Sequence, residues 1–143
     1  MKIAVTAANG KLGSAIIENL LQAHAATDIV ALARTPAKAE FLTKQYGIEV
    51  RAGDYDDVQQ LENSLQGIDS VLLVSSMDEP AKRIGQHRNV IESAKKNGVT
   101  KIVYTSIQGS DTQTAFAPIV KSNQQTEQDI KDSGLNWEIG RNG

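Results

Sequence analysis

Short apolar runs alternate with longer amphipathic segments along the 143-residue chain. Several runs are continuously apolar, such as IVALA at 29–33, VLLV at 71–74 and IVY at 102–104. Such runs are typical of strands in a parallel sheet that has helices on both faces. The pattern predicts six strands, at residues 2–6, 28–33, 49–52, 70–75, 101–105 and 136–139.

Helices are predicted between these strands, at 12–22, 36–46, 56–65, 80–97 and 118–133. The second has Thr35 as its expected N-cap and Pro36 at its first position. The last two stop at Gly98 and Gly134. Apolar residues of the first helix recur at helical spacing and predict one buried stripe. They are Leu12, Ile16, Ile17, Leu20 and Leu21.

Regular alternation of strands and helices with short connections predicts a doubly wound parallel sheet of the Rossmann type. The expected strand order is 3-2-1-4-5-6, and the chain length suits one domain over residues 1–143. Ligands of such sheets bind at the carboxyl ends of the strands, where the strand order reverses between the first and fourth strands.

Composition excludes several classes of function. The net charge of −2 gives no indication of nucleic acid or an anionic membrane as a partner. No apolar run approaches the ~20 residues of a membrane span. The absence of cysteine excludes disulfides and thiol nucleophiles, and the two histidines lack metal-ligand spacing. We expect a cytoplasmic protein without a metal.

The stretch TAANGKLG, residues 6–13, joins the first predicted strand to the first helix. A glycine-rich loop at such a junction holds a pyrophosphate against the helix N-terminus. Gly10 and Gly13 have the required spacing, but Ala7 stands where a three-glycine loop has its first glycine. Ala7 suits the loop if it keeps a negative φ, and Asn9 suits a left-handed turn. The alternative is a plain strand-to-helix turn.

Arg34 follows the second predicted strand, where a fold that prefers NAD has an acidic residue on the ribose. A guanidinium suits a 2′-phosphate instead, and Lys38 adds positive charge one turn later. The alternative is a solvated surface arginine. The pattern favours NADP, with NAD as a possible second cofactor.

Polar residues also follow the next two strands. Asp54 is placed to bond the adenine amino group, although Asp54 or Asp56 could instead cap the following helix. Ser75 and Ser76 are placed near the nicotinamide ribose, with a polar loop and helix cap as the alternative.

The fifth strand contains two weak catalytic candidates, Tyr104 and Thr105, whose hydroxyls could polarise a substrate carbonyl. A tyrosine within a strand is more often a core residue. His87 is interpreted as a helix-face or interface residue rather than a base. The chain has no G-x-S-x-G elbow of a serine hydrolase.

Five motifs, in order, resemble the NmrA-like branch of the atypical short-chain dehydrogenase/reductase superfamily. Within it they are most similar to bacterial NAD(P)H-dependent quinone and triphenylmethane-dye reductases. The motifs are IAVTAANGKLGSAIIENLL, ALARTPAKAEFL, VRAGDYDDVQQLENSLQGIDSVLLVSS, HRNVIESAKKNGVTKIVYTS and TEQDIKDSGLNWEIGRNG. The resemblance implies an NADPH-dependent oxidoreductase that transfers hydride to a quinone-type or dye acceptor. A non-catalytic NADP(H)-sensing regulator of the same superfamily is the alternative.

The resemblance also implies residue roles. Arg34 matches the arginine that favours NADP, Asp54 the acid beside adenine, and Ser75 and Ser76 the ribose and nicotinamide edge. Tyr104 and Thr105 match the strand that flanks the nicotinamide. The loop residues that would hold the cofactor are Thr6, Ala8, Asn9, Gly10, Lys11, Leu12 and Gly13.

This chain departs from the family in three respects. Ala7 replaces the first glycine of the loop. Gln108 stands at the lysine position of the superfamily's Tyr-x-x-x-Lys pair, which the related reductases commonly lack. Family members continue past the final Arg-Asn-Gly into a substrate-binding segment, which we expect to be absent here. The acceptor and the oligomeric state stay open.

Overall fold

The computed structural model describes residues 1–74, 80–107 and 117–142. Its strands are β1 (Ile3–Val5), β2 (Ile29–Ala33), β3 (Glu49–Ala52), β4 (Ser70–Val74), β5 (Lys101–Ile107) and β6 (Asn136–Asn142). They form one sheet in the order β3-β2-β1-β4-β5-β6, and every neighbouring pair is parallel. The predicted Rossmann-type fold class and strand order are therefore confirmed.

The helices are α1 (Lys11–Leu20), α2 (Glu40–Tyr46), α3 (Val58–Ser64), α4 (Pro80–Lys96) and α5 (Ala117–Asp132). Gly98 and Gly134 follow α4 and α5 with φ of 71° and 85°, the left-handed termination that was predicted. The predicted helix at 36–46 is wrong in its first turn, because Pro36–Ala39 forms a 3-10 turn. Thr35 precedes that turn without making a side-chain cap hydrogen bond.

The sheet is covered on both faces, which explains the continuously apolar strands. In β2, Val30 and Leu32 join a core cluster with residues of α3, α4 and α5. Ile29, Ala31 and Ala33 join a second cluster with residues of α1 and α2. Alternate residues of a strand face opposite sides, so both sets must be apolar.

The predicted apolar stripe of the first helix is only partly buried. Ile17 is buried, and Ile16, Leu20 and Leu21 are half-buried against the second cluster. Leu12 is 40% exposed, so its expected burial is wrong. In this first turn the residue that faces the loop is the buried glycine, Gly13.

Within the described residues, no helix combines the length and apolar character that crossing a membrane requires.

Candidate dinucleotide-binding site

The loop after β1 is fixed by backbone hydrogen bonds to both neighbouring strands. The amide of Thr6 donates to Leu72 O at 3.1 Å, and the amide of Ala8 donates to Leu32 O at 3.0 Å. The amide of Gly10 then turns back to Ala7 O at 3.1 Å. The chain therefore leaves the sheet between Thr6 and Ala8 and reaches α1 through a tight turn.

Ala7 is the residue at which this turn is made. Its φ is +50°, and among the described residues it is the one non-glycine residue with a positive φ. The expectation that Ala7 keeps a negative φ is wrong. The hydrogen bond to Leu32 accounts for the difference, because a regular parallel ladder with this register would use the amide of Ala7. The amide of Ala8 takes the place that the Ala7 amide would have in the ladder. Ala7 is therefore an extra residue, a bulge, in a left-handed conformation.

Gly13 allows the helix to approach this turn. A Cβ atom at Gly13 would lie 2.3 Å from Ala7 O, a distance that no side chain tolerates. A Cβ atom at Gly10 would lie 3.4 Å from the same oxygen, at the limit of ordinary contact. Of the two glycines, Gly13 is therefore the one that the packing of helix on loop requires.

The N-terminus of α1 is open to an anion. Gly10 is the N-cap and supplies no side-chain hydrogen bond, and the first turn contains no acidic residue. The first amides of a helix have no intrahelical acceptor, and they carry the positive end of its dipole. These amides are those of Lys11, Leu12 and Gly13. The loop and helix therefore fit the pyrophosphate of a dinucleotide.

Two residues of the predicted cofactor loop make their hydrogen bonds within the protein. Thr6 and Ala8 are fully buried, and the amide of Ala8 is used by β2. The hydroxyl of Thr6 accepts a hydrogen bond from the amide of Val74 at 2.9 Å and contacts Tyr55 Oη at 2.7 Å. Both residues therefore fix the loop from the core side and do not present polar groups to a ligand.

Arg34 lies at the carboxyl end of β2 with its side chain 72% exposed. Its Nε lies 3.7 Å from Asp54 Oδ2. An exposed ion pair of this kind is worth at most about 1 kcal/mol, so the guanidinium can exchange partners at little cost. Lys38 is exposed in the 3-10 turn that follows. The structure thus brings two cations to the side of the sheet where an adenine ribose is expected.

The alternative interpretation of Asp54 or Asp56 as the cap of the helix after β3 is wrong. Asp57, not Asp54 or Asp56, is the N-cap of α3, and its Oδ1 accepts from the amide of Gln60 at 3.0 Å. Asp54 Oδ1 instead accepts from the amide of Asp56 at 2.9 Å. The local turn therefore leaves Asp54 half-exposed beside Arg34.

The weak catalytic candidate Tyr104 is a core residue. It is fully buried, and its ring packs edge-on against the ring of His87, with 5.4 Å between centroids. This agrees with the core placement expected of a tyrosine within a strand and not with a role in polarising a substrate carbonyl. The backbone of Thr105 is part of β5. Ser75 and Ser76 lie outside the described residues.

His87 is also a core residue, which corrects its expected place on a helix face. It is fully buried, and its Nδ1 lies 2.9 Å from Thr126 Oγ1. Burial, with a smaller contribution from the Arg83 charge, lowers the pKa of His87 to about 3. The imidazole is therefore neutral at physiological pH. Among the described residues, no group of histidines and carboxylates is placed to hold a metal ion.

Sequence reasoning missed Tyr55. Its hydroxyl donates to Val74 O as well as contacting Thr6 Oγ1, so it joins the ends of β1 and β4. Burial raises the pKa of Tyr55, which keeps the phenol protonated and able to donate. Its position in the short sequence DYDD carries no signal for this contact, because the partners lie far away in the chain.

Comparison with known proteins agrees with this geometry. A family described as NAD(P)H-binding matches residues 7–143. Quinone oxidoreductase 2 of Escherichia coli (strain K12) is 44% identical over an alignment of 143 residues, which covers 99% of this chain and 48% of that protein.

Two solved structures are similar over 99% of this chain. The NADPH-dependent quinone oxidoreductase of Escherichia coli, complexed with NADPH, has a TM-score of 0.88 at 42% identity, with 48% of that chain covered. Triphenylmethane reductase of Citrobacter sp., complexed with NADP(H), has a TM-score of 0.89 at 32% identity, with 49% covered.

The chain spans about half the length of these relatives. The resemblance to quinone and dye reductases that the five motifs indicate is confirmed over this part. With its fold, its glycine loop and the match over residues 7–143, the chain belongs to the NAD(P)H-binding family.

Proposed function

We propose that this chain is the cofactor-binding part of an NADPH-dependent reductase that delivers hydride to a quinone-type or dye acceptor. The observation that carries the proposal is the uncapped N-terminus of α1, which packs against the Ala7 carbonyl through Gly13. The choice of acceptor rests on the likeness to the quinone and triphenylmethane reductases.

The pyrophosphate and the adenosine half of the dinucleotide have separate sets of residues. The amides of Lys11, Leu12 and Gly13, with Asn9 before them, hold the pyrophosphate. In the adenosine half, Arg34 binds the 2′-phosphate and Lys38 adds charge. Asp54 receives the adenine amino group while its second oxygen faces Arg34.

Bound NADPH supplies the hydride, and the protein supplies binding and orientation. Ser75 and Ser76 are assigned to the nicotinamide edge by resemblance, and Thr105 to the strand beside it. An electrophilic quinone needs little proton transfer from the protein, so catalysis is mainly positioning. We propose that such a reductase works in the cytoplasm, where NADPH is supplied.

Replacing one arginine tests the cofactor preference. Arg34→Ala removes the charge-assisted contact with the 2′-phosphate, which is worth about 1.5–3 kcal/mol. We expect NADPH to bind about 10- to 100-fold more weakly and NADH to bind as before, measured by isothermal titration calorimetry.

The matched control is Arg88→Ala in α4. Arg88 is also an exposed arginine, and it is paired with Asp129 at 2.8 Å rather than with a residue of the loop region. The control should bind NADPH and NADH as the wild type does. Equal losses of both nucleotides in Arg34→Ala would refute the assignment of the 2′-phosphate.

Turnover separates the reductase from a sensor. The reductase consumes NADPH when menadione or a triphenylmethane dye is added, and the absorbance of NADPH falls. A protein that binds NADPH tightly and leaves its absorbance unchanged with every acceptor is the non-catalytic alternative.

A further inference from the structure

The β1–β4 ladder ends in an irregular way that involves side chains. The register pairs Val5 with Leu72, and the amide of Thr6 donates to Leu72 O as a regular parallel ladder requires. Continuing that ladder would give Val74 two backbone partners, the carbonyl of Thr6 and the amide of Ala8. The amide of Ala8 is instead bonded to Leu32 O in β2.

Two hydroxyl groups replace those missing backbone partners. The amide of Val74 donates to Thr6 Oγ1 at 2.9 Å, and Val74 O accepts from the phenol of Tyr55. Thr6 Oγ1 and Tyr55 Oη are 2.7 Å apart. Because the phenol proton goes to Val74 O, we infer that the Thr6 hydroxyl donates to Tyr55 Oη, with Leu72 O as a more distant acceptor at 3.4 Å, and the three bonds form a closed ring. We call this ring the Val74 clamp.

The Val74 clamp is anchored by the core on its other side. The ring of Tyr55 meets the ring of His87 edge-on, with 6.1 Å between centroids. The carbonyl of Tyr55 accepts from Asn89 Nδ2 at 2.9 Å. Both partners belong to α4, so the phenol is held by a long helix and not by its own loop alone.

The clamp lies where the strand order reverses. β1 and β4 are the neighbours between which the chain changes direction across the sheet, and a ligand of this fold lies outside their carboxyl ends. Thr6 directly precedes Ala7, whose left-handed conformation begins the turn to α1. Fixing Thr6 against Val74 therefore also fixes the starting point of the pyrophosphate loop.

We propose that Tyr55 is a positioning residue for the dinucleotide. Through Thr6 and Val74 it holds the ends of β1 and β4 together, so that the pyrophosphate loop is formed before the cofactor arrives. This inference rests on the proposed NADPH site and goes beyond it, since the Tyr55 hydroxyl is bonded to Thr6 and Val74. Preformed loops bind more tightly because less ordering remains to be done on binding.

Tyr55→Phe removes the hydroxyl and keeps the ring and the backbone contact with Asn89. Val74 O loses its donor, so the cofactor-free loop leaves its binding conformation to let water reach that carbonyl, and NADPH has to restore the conformation on binding. We expect NADPH to bind about tenfold more weakly. Adenosine 2′-phosphate contacts only the Arg34 side of the site, so its affinity should not change. The ratio of the two affinities separates positioning from a general loss of stability.

The matched control is Tyr46→Phe, which removes a phenol bonded to Glu18 at 3.0 Å on the surface. It should change neither affinity. Thr6→Ser keeps the hydroxyl and should bind NADPH like the wild type, whereas Thr6→Val should match Tyr55→Phe. The double variant Thr6→Val/Tyr55→Phe should lose little more than either single variant, because both act on one ring.

Amide hydrogen exchange of the cofactor-free protein provides a second readout. Tyr55→Phe should speed exchange at Val74 and Ala8 and leave Ile102 in β5 unchanged. Equal losses of both ligands, or an unchanged affinity for NADPH, would overturn the proposal. If the wild type binds neither ligand, the proposed function fails, and unchanged exchange at Val74 would overturn the clamp as well.

Discussion

Ala7→Gly should stabilise this protein, although replacing alanine by glycine usually lowers the free energy of unfolding. A residue with a Cβ atom pays about 1–2 kcal/mol to adopt the left-handed conformation that Ala7 has, with φ of +50°. Glycine removes that cost. The conformation itself is imposed by the neighbours, because the Ala8 amide is bonded to Leu32 and the Ala7 carbonyl to the Gly10 amide.

Two opposing terms reduce the gain. Glycine loses about 0.5–1 kcal/mol more conformational freedom on folding than alanine does. The methyl group of Ala7 is half-buried against the second core cluster, and its removal costs about 0.4 kcal/mol. The mid-range values leave a net stabilisation of about 0.3 kcal/mol, which corresponds to a rise of about 1 °C in the melting temperature.

Ala15→Gly is the matched control, because Ala15 is exposed in the middle of α1. The same substitution there should destabilise by about 1 kcal/mol. Urea unfolding followed by circular dichroism measures both variants, and NADPH titration should show preserved or tighter binding for Ala7→Gly. If Ala7→Gly lowers the unfolding midpoint as much as Ala15→Gly does, the left-handed assignment of Ala7 is refuted.

Three further predictions concern packing, protonation and capping. Gly13→Ala should push α1 away from the Ala7 carbonyl, and calorimetry should show loss of NADPH binding together with a lower melting temperature. Because the pKa of His87 is about 3 in the native state and 6.5 in the unfolded state, the unfolded chain takes up a proton that the native protein does not. Stability should fall as pH drops from 6.5 toward 3, by up to about 1.4 kcal/mol per pH unit, and urea unfolding of His87→Gln should show a shallower fall. Asp57→Ala should cost about 1 kcal/mol in urea unfolding, because the Gln60 amide loses its cap, whereas Asp57→Asn should cost little.

Much of the sheet could be predicted from the sequence because β2, β4 and β5 each contain a continuous apolar run. The predicted bounds of β3 also match those observed, Glu49–Ala52. Gly13 was also predictable, because its spacing from the strand follows from the geometry of a strand–turn–helix junction.

Features that depend on distant residues could not be predicted. The φ of Ala7 follows from a hydrogen bond to Leu32, which lies in another strand. The burial of His87 follows from Thr126 and two tyrosine rings that come from other elements. The cap of α3 is a different case, since the Asp-x-x-Gln spacing of Asp57 and Gln60 was present as a local signal.

The proposed NADPH site depends most on the pyrophosphate lying at the start of α1. Titration of the isotopically labelled chain with NADPH, followed by amide chemical shifts, tests it most directly. The largest shifts should fall on the amides of Lys11, Leu12 and Gly13, with a second group at Arg34. Shifts concentrated instead in the groove between α4 and α5, around Arg88 and Asp129, would contradict it.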